Sequence, residues 1–308
     1  MSNMPLTQQH HIAKLSFIGD ALSLGPHWIY QQSEIERKAG NISGYLDPMS
    51  EYHPGKMNGD FTHYGDQALV LLRSISRAKH FSLQNFADDW RSYWEDDKTI
   101  SYQDGATKAT LRNLQENLPI KECASSSNDM AGAARIAPLF LLQWDSQEAL
   151  LLAVREQTAF THGNSAVIES AEFFARIALH VAAGKSIRES LTLTAEMDHW
   201  NAIQRDWIEA AAKSSASDES AESSAETLGL TCHVPDAFPV IVDLLFRYPL
   251  DPITALTKNA QAGGDSAARG MILGLVYGAL PETSKLPETW FTDLRALDEI
   301  ERLIRELS

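Results

Sequence analysis

The sequence predicts an all-α protein, and three observations predict it. Nearly every periodic segment repeats its apolar residues at the helical spacing i, i+3, i+4. No run of alternating β-branched residues reads as a strand. Residues 261–280, QAGGDSAARGMILGLVYGAL, open on two glycines and an aspartate and continue as a helix of small and apolar residues. Met271, Ile272, Leu275 and Val276 share one face of it, and Gly270, Gly274 and Gly278 recur every four residues on another. Glycine inside a helix costs about 1 kcal/mol against alanine, so three of them imply close approach by neighbouring helices. This helix is therefore expected at the centre of the molecule, with Gly263 and Gly264 turning the chain before it and Asp265 at its N-terminus as a cap.

The remaining elements follow in chain order. Apolar residues at 12, 15, 18 and 22 predict a helix from Ile12 to Leu24, stopped by Gly25-Pro26. Residues 31–64 are irregular and rich in Gly, Asn, Asp, His and Tyr, a length of loop that usually covers a site. GDQALVLLRSISRA (65–78) reads as a helix with Asp66 near its start, and Ser82 caps the next, LQNFADDWRSYW. Asp104 or Thr107 begins a helix through Leu118. Ser127-Asn128-Asp129, all N-cap types, lead into AGAARIAPLFLLQW, interrupted at Pro138. Further helices are expected at about 147–159, 164–183, 186–196, 199–213, 235–247, 251–261 and 292–307. Residues 213–226, KSSASDESAESSAE, are polar and of low complexity, either a mobile surface loop or a weak exposed helix. With no internal repeats, one domain over 1–308 is the economical reading.

Composition excludes several function classes. The apolar share of 44% and charged share of 22% suit a globular protein with a proper core. A net charge of −15 argues against nucleic acid as a bulk partner, since phosphate binding needs a basic face. Cys123 and Cys232 form no CxxC pair and read as reduced residues of a cytosolic protein. No stretch is apolar enough to span a membrane, and the N-terminus carries no secretion signal, so a cytoplasmic location is expected.

Four short segments combine tight turns, small residues and a polar group beside an apolar helix: GDA (19–21), HYGDQA (63–68), FTHGN (160–164) and GGDS (263–266). Asp20 lies inside an apolar pattern, where a carboxylate needs hydrogen bonds or a polar cavity. Asp66 and Asp265 sit near helix starts, and His162 sits in a turn between helices. Each alone reads as structural, but together they can build one pocket among facing helices. His27, Trp28 and Tyr30 offer rings to stack on a planar ligand, with core packing the alternative for Trp28. His53 and His63 flank Asp60 as metal ligands or as hydrogen-bonded loop residues.

In this order the chain resembles the ADP-ribosylglycohydrolase family over nearly its whole length, closest to the branch of J-type crystallins and selenoprotein J. The matching segments are GDALS (19–23), YGDQ (64–67), ARIAPL (134–139), THGN (161–164) and GGDSAARGMILGLVYGA (263–279). The resemblance implies a single orthogonal helical bundle that hydrolyses an N- or O-glycosidic bond to ADP-ribose, on an ADP-ribosylated protein or small molecule. It assigns Asp66 to water activation and Asp265 to holding ribose or an ion. Asp20, His27, Asp60, His162, Gly263, Gly264 and Arg269 are the implied substrate contacts, with Arg269 suited to a phosphate.

Members with hydrolase activity hold two Mg²⁺ or Mn²⁺ ions. Here Tyr64 and Gly65 stand where the family's metal turn has Thr and Asp, and Ala267 and Ala268 where its second turn has Asp and Thr. His27 or Trp28 replaces a further acid. Asp66 and Asp265 remain for at most one Mg²⁺ or Mn²⁺, and a metal-free site and a purely structural one stay open. The alternative to a hydrolase is a non-catalytic relative, either a nucleotide binder or a crystallin-like structural protein.

Overall fold

Sixteen α-helices succeed one another among residues 4–281 and 286–307, the residues a computed structural model of the chain describes. They are α1 (Leu6–Leu24), α2 (Gln32–Ala39), α3 (His63–Ala78), α4 (Leu83–Glu95), α5 (Gly105–Gln115), α6 (Ala131–Ala134), α7 (Gln147–Ala159) and α8 (Ser165–Ala182). There follow α9 (Ile187–Ala195), α10 (Arg205–Ser215), α11 (Ala221–Leu228), α12 (Val234–Arg247), α13 (Pro252–Ala262), α14 (Ser266–Gly278), α15 (Thr289–Thr292) and α16 (Leu297–Leu307). Among the described residues there is no sheet, only two isolated bridges, and no helix long and apolar enough to cross a membrane.

The glycine-rich helix, α14, lies at the centre with every residue buried, packed along α1. The glycines make the approach close. A Cβ on Gly274 would fall 2.1 Å from the Leu15 carbonyl oxygen, and one on Gly19 would fall 2.0 Å from that of Gly270. The two backbones touch where side chains would otherwise hold them apart. One continuous apolar core runs from Ile12 through Leu71, Phe173 and Val240 to Ile304.

Local chemistry sets half of the helix starts. Thr62, Ser82, Asp104, Ser146, Asn164, Ser186, Ser220 and Asp251 each accept a hydrogen bond from an N–H of the helix that follows. Ser82→Ala is expected to cost about 1 kcal/mol of stability, because the Asn85 N–H loses its acceptor. Thermal unfolding of that variant measures it, and no change would show that the cap is redundant.

Five segments differ from the sequence expectation, two of them only in where the helix begins: the one expected at 199 forms from Arg205, and the one expected at 292 from Leu297. The loop of 31–64 holds α2, whose sequence QSEIERKA has one buried residue, Ile35, and so no visible periodicity. The helix expected from residue 131 stops after α6 and resumes as a 3₁₀ turn, Ala137–Leu141. Pro138 explains the break: it lacks an N–H, and in an α-helix its ring would strike the Ala134 carbonyl. The polar segment 213–226 carries the first turns of α11, capped by Ser220 and tied to α13 by Glu222–Lys258.

Candidate functional site

Asp20 projects from α1 and ties down the start of α3. Its carboxylate accepts hydrogen bonds from the Thr62 N–H (2.7 Å), the Thr62 hydroxyl (2.6 Å) and the Gly65 N–H (3.1 Å). Residue 65 is glycine because a Cβ there would lie 2.5 Å from Asp20 Oδ2. Burial raises the Asp20 pKa to about 6, with the Thr62 bonds opposing the rise. The folded protein thus holds this proton more tightly than the unfolded chain, whose value is near 3.8. Asp20 therefore favours folding below that value, and the benefit is lost as pH rises through about 6. Wild-type stability, measured against Asp20→Asn by chemical denaturation, is expected to fall over that interval and level off above it. Parallel pH profiles would contradict this assignment.

Asp265 does not act as the cap its position suggests, since no side-chain capping bond forms at α14. Its Oδ2 accepts instead from the Tyr64 hydroxyl (2.8 Å) and the Trp28 indole N–H (3.0 Å), while Oδ1 is buried with no hydrogen-bond partner. Burial pushes the Asp265 pKa up, against those two donors and the charge of Arg269. Gly263 and Gly264, at φ +71° and +62°, make the turn that presents it. Trp28 also sits at positive φ, +64°, a conformation strained for a tryptophan. It is held there because its N–H donates to the Gly264 carbonyl, and the Gly264 N–H donates to that of Ile29. Arg269 is fully buried and donates to Asn259 and to the Gly263 carbonyl, bracing this turn, while its Nη1 has no partner.

A second acidic group stands nearby. Two bridges, Ser125 with His162 and Asp129 with His233, hold residues 125–129 between the α7–α8 turn and the start of α12. His162 Nε2 lies 2.8 Å from Asp129 Oδ1, and its Nδ1 lies 2.8 Å from the Thr161 hydroxyl. Both ring nitrogens are thus engaged, and His162 orients Asp129 where a substrate contact was expected. Burial drives the Asp129 pKa up, but the charge and hydrogen bond of His162 outweigh it and leave the carboxyl below its ordinary value. Beneath them Arg135, also buried, binds Gln67, Gln157 and Thr161. Asp104 caps α5 through the Thr107 N–H (2.6 Å) and sets its other oxygen 3.4 Å from His63 Nε2. Burial, followed by the charges of Asp265, Asp129 and Asp104, raises the pKa of both Tyr64 and Cys232. Three carboxylates therefore act on the same two side chains. Trp28, Tyr52 and Tyr102 pack edge to face, with ring centroids 4.9 to 5.9 Å apart.

Asp66 takes a different partner from Asp265. Tyr64 points at Asp265, and two residues on a helical side chain has turned about 200°, to the opposite face. There the Lys56 ammonium binds both Asp66 oxygens, at 2.7 and 2.9 Å. Asp66 and Asp265 share no hydrogen-bond partner. Asp60 is elsewhere again, accepting from the Met57 N–H and lying 4.0 Å from Arg295. The carboxylate centre implied for Mg²⁺ or Mn²⁺ does not fit these residues: an ammonium neutralises one assigned ligand, and two neutral donors hold the other. His27 stacks on Trp28 at 4.5 Å, and neither of its ring nitrogens has a hydrogen-bond partner. With His53 and His63 it forms instead a buried three-histidine group able to hold a metal ion.

The sequence reading missed Tyr64, Asp104, Asp129, Arg135 and Cys232 as residues of this buried polar network. Asp104 and Asp129 carried a signal, but as N-cap types before helices, which concealed their second role. Tyr64 read only as a lost ligand in the YGDQ turn. Its hydroxyl, reaching a residue 201 positions away, is visible only in the fold.

The profile of the ADP-ribosylglycohydrolase family matches residues 15–308. An uncharacterised protein of Archaeoglobus fulgidus is 25% identical over 292 residues, covering 94% of this chain and 92% of the relative. Crystallins J1B and J1A of Tripedalia cystophora are 23% and 22% identical, covering 90% and 95% of this chain and 88% and 94% of their own. A solved structure described as an ADP-ribosylglycohydrolase-related protein complex shares the fold, with a TM-score of 0.74 at 17% identity, over 98% of this chain and 97% of that one.

Proposed function

The chain belongs to the ADP-ribosylglycohydrolase family, and from that premise we propose that it hydrolyses a ribosyl glycosidic bond in an ADP-ribosylated protein or small molecule. The observation that supports this reading is Asp265 Oδ1, a buried carboxylate oxygen with no hydrogen-bond partner. Cleavage at the ribose anomeric carbon passes through an oxocarbenium-like transition state, which a cluster of carboxylates stabilises. The bond to the leaving group breaks with its electron pair going to that group. Water bonds to the carbon, and its proton passes to Asp265. A raised pKa strengthens Asp265 as that base. Trp28, Tyr52 and Tyr102 offer aromatic surface to a base ring. No step runs through Mg²⁺ or Mn²⁺, because Lys56 already satisfies Asp66. We place the activity in the cytoplasm, where the free Cys123 and Cys232 stay reduced.

A panel of ADP-ribosylated peptides and metabolites tests this. Free ADP-ribose is expected to be released without added Mg²⁺ or Mn²⁺, and neither ion is expected to raise the rate. A second reading is favoured by the crystallin relatives and by the ammonium on Asp66: a non-catalytic relative that binds nucleotide or serves structurally. Saturable ADP-ribose binding with no release from any substrate would select it.

A further inference from the structure

We propose that His27, His53 and His63 together bind one transition-metal ion of the Zn²⁺ class through their ring nitrogens. The inference uses a ligand set other than the Asp66 and Asp265 carboxylates and does not depend on the hydrolytic reading. All three side chains are buried, and one nitrogen of each lies within 4.8 Å of the other two. Five of the six ring nitrogens have no polar partner, and the sixth, His63 Nε2, meets only Asp104 Oδ2 at 3.4 Å. A buried polar atom without a partner is costly, and one shared ion would satisfy a nitrogen on each of the three rings. Ordinary core histidines are held by hydrogen bonds, as His162 is here on both nitrogens.

The donor set selects the ion. Mg²⁺ and Ca²⁺ take oxygen ligands, whereas neutral imidazole suits Zn²⁺ and its neighbours. The Lys56 ammonium near His53 is already paired with Asp66. A tetrahedral ion with Zn–N bonds of about 2.0–2.1 Å sets its ligand nitrogens roughly 3.4 Å apart. The cluster must tighten to reach that spacing. His27 follows α1 and His63 opens α3, while His53 rides on the irregular 40–62 loop and is the ligand with room to move.

Two neighbours complete the arrangement. Asp104 Oδ2, 3.4 Å from His63 Nε2, supplies a carboxylate that orients the imidazole and balances the ion's charge. The Trp28 ring lies over His27 and His53, at 4.5 and 5.4 Å, and screens the cluster from water. Three histidines leave a fourth position open, as a site that binds water or a substrate atom requires.

The test uses the tag-free full chain, treated with a chelator and titrated with Co²⁺ and then Zn²⁺. One Co²⁺ per chain is expected, with the visible ligand-field absorption of a four- or five-coordinate nitrogen site. Zn²⁺ should displace it stoichiometrically, and Mg²⁺ should not. His53→Ala, folded by circular dichroism, should lose the absorption. Asp104→Asn, which keeps a capping side chain for α5, should weaken binding roughly 10- to 100-fold. Absence of stoichiometric Co²⁺ or Zn²⁺ binding to the wild type would overturn the proposal. So would binding unchanged in His53→Ala, which would place the ion elsewhere, for instance at the adjacent His10 and His11.

Discussion

Asp265→Asn is expected to slow ADP-ribose release by roughly 10²- to 10⁴-fold, the contribution of a positioned general base. Asparagine keeps the shape of the side chain, and its one carbonyl oxygen can still accept from Tyr64 and Trp28. What it loses is the negative charge and the basicity of the unpartnered oxygen. Stability should change little, because a buried carboxylate whose pKa is already pushed up gains from becoming neutral. The loss should fall on kcat with KM nearly unchanged, since the water's proton moves only in the transition state. Unchanged turnover would remove Asp265 from the chemistry. Tyr64→Phe separates the roles further: it leaves the carboxylate but frees Oδ2 of one donor, and should raise the Asp265 pKa and shift the pH profile upward.

The second large effect is on folding. Gly274→Val is expected to destabilise the protein by more than about 3 kcal/mol, beyond the usual cost of overpacking. The added Cβ would meet the Leu15 carbonyl oxygen at 2.1 Å and its carbon at 2.4 Å. Both are backbone atoms of a buried helix, so no rotamer change relieves the clash, and α1 must move away from α14. Because α1 also carries Asp20, which fixes the start of α3, that shift propagates to Tyr64 and the pocket. Gly105→Ala is the control: nothing lies within 4 Å of its Cβ, and the change should be neutral or slightly stabilising. Thermal unfolding of the two variants side by side measures the contrast. Equal midpoints would mean that the α1–α14 contact is not the organising one.

The sequence made the scaffold legible because its strongest signals are local. Apolar spacing placed most helices, Ser82 and Asp104 announced their caps, and the glycines of α14 announced a close helix contact. Helix α2 stayed hidden because a helix with one buried residue has no periodicity to read. The pocket was less legible, for a physical reason. Side chains there are brought together by the fold from separate elements, and residue type alone does not say which partner neutralises which charge. Asp66 and Asp265 looked alike in sequence, yet one meets an ammonium and the other two neutral donors. Lys56 carries no motif, and nothing near Asp66 in the sequence marks it as the cation. The three histidines behave likewise: residues 27, 53 and 63 lie on a turn, a loop and a helix start, and only their burial without partners sets them apart.

A crystal structure of the protein with ADP-ribose tests the central claim most directly. The ribose nearest the scissile position should place a hydroxyl or its attacking water about 3 Å from Asp265 Oδ1, the reach of a hydrogen bond, with Asp104 and Asp129 flanking it and Trp28 against the ligand. A nucleotide bound away from Asp265, or contacting Asp66 with Lys56 displaced, would contradict the account.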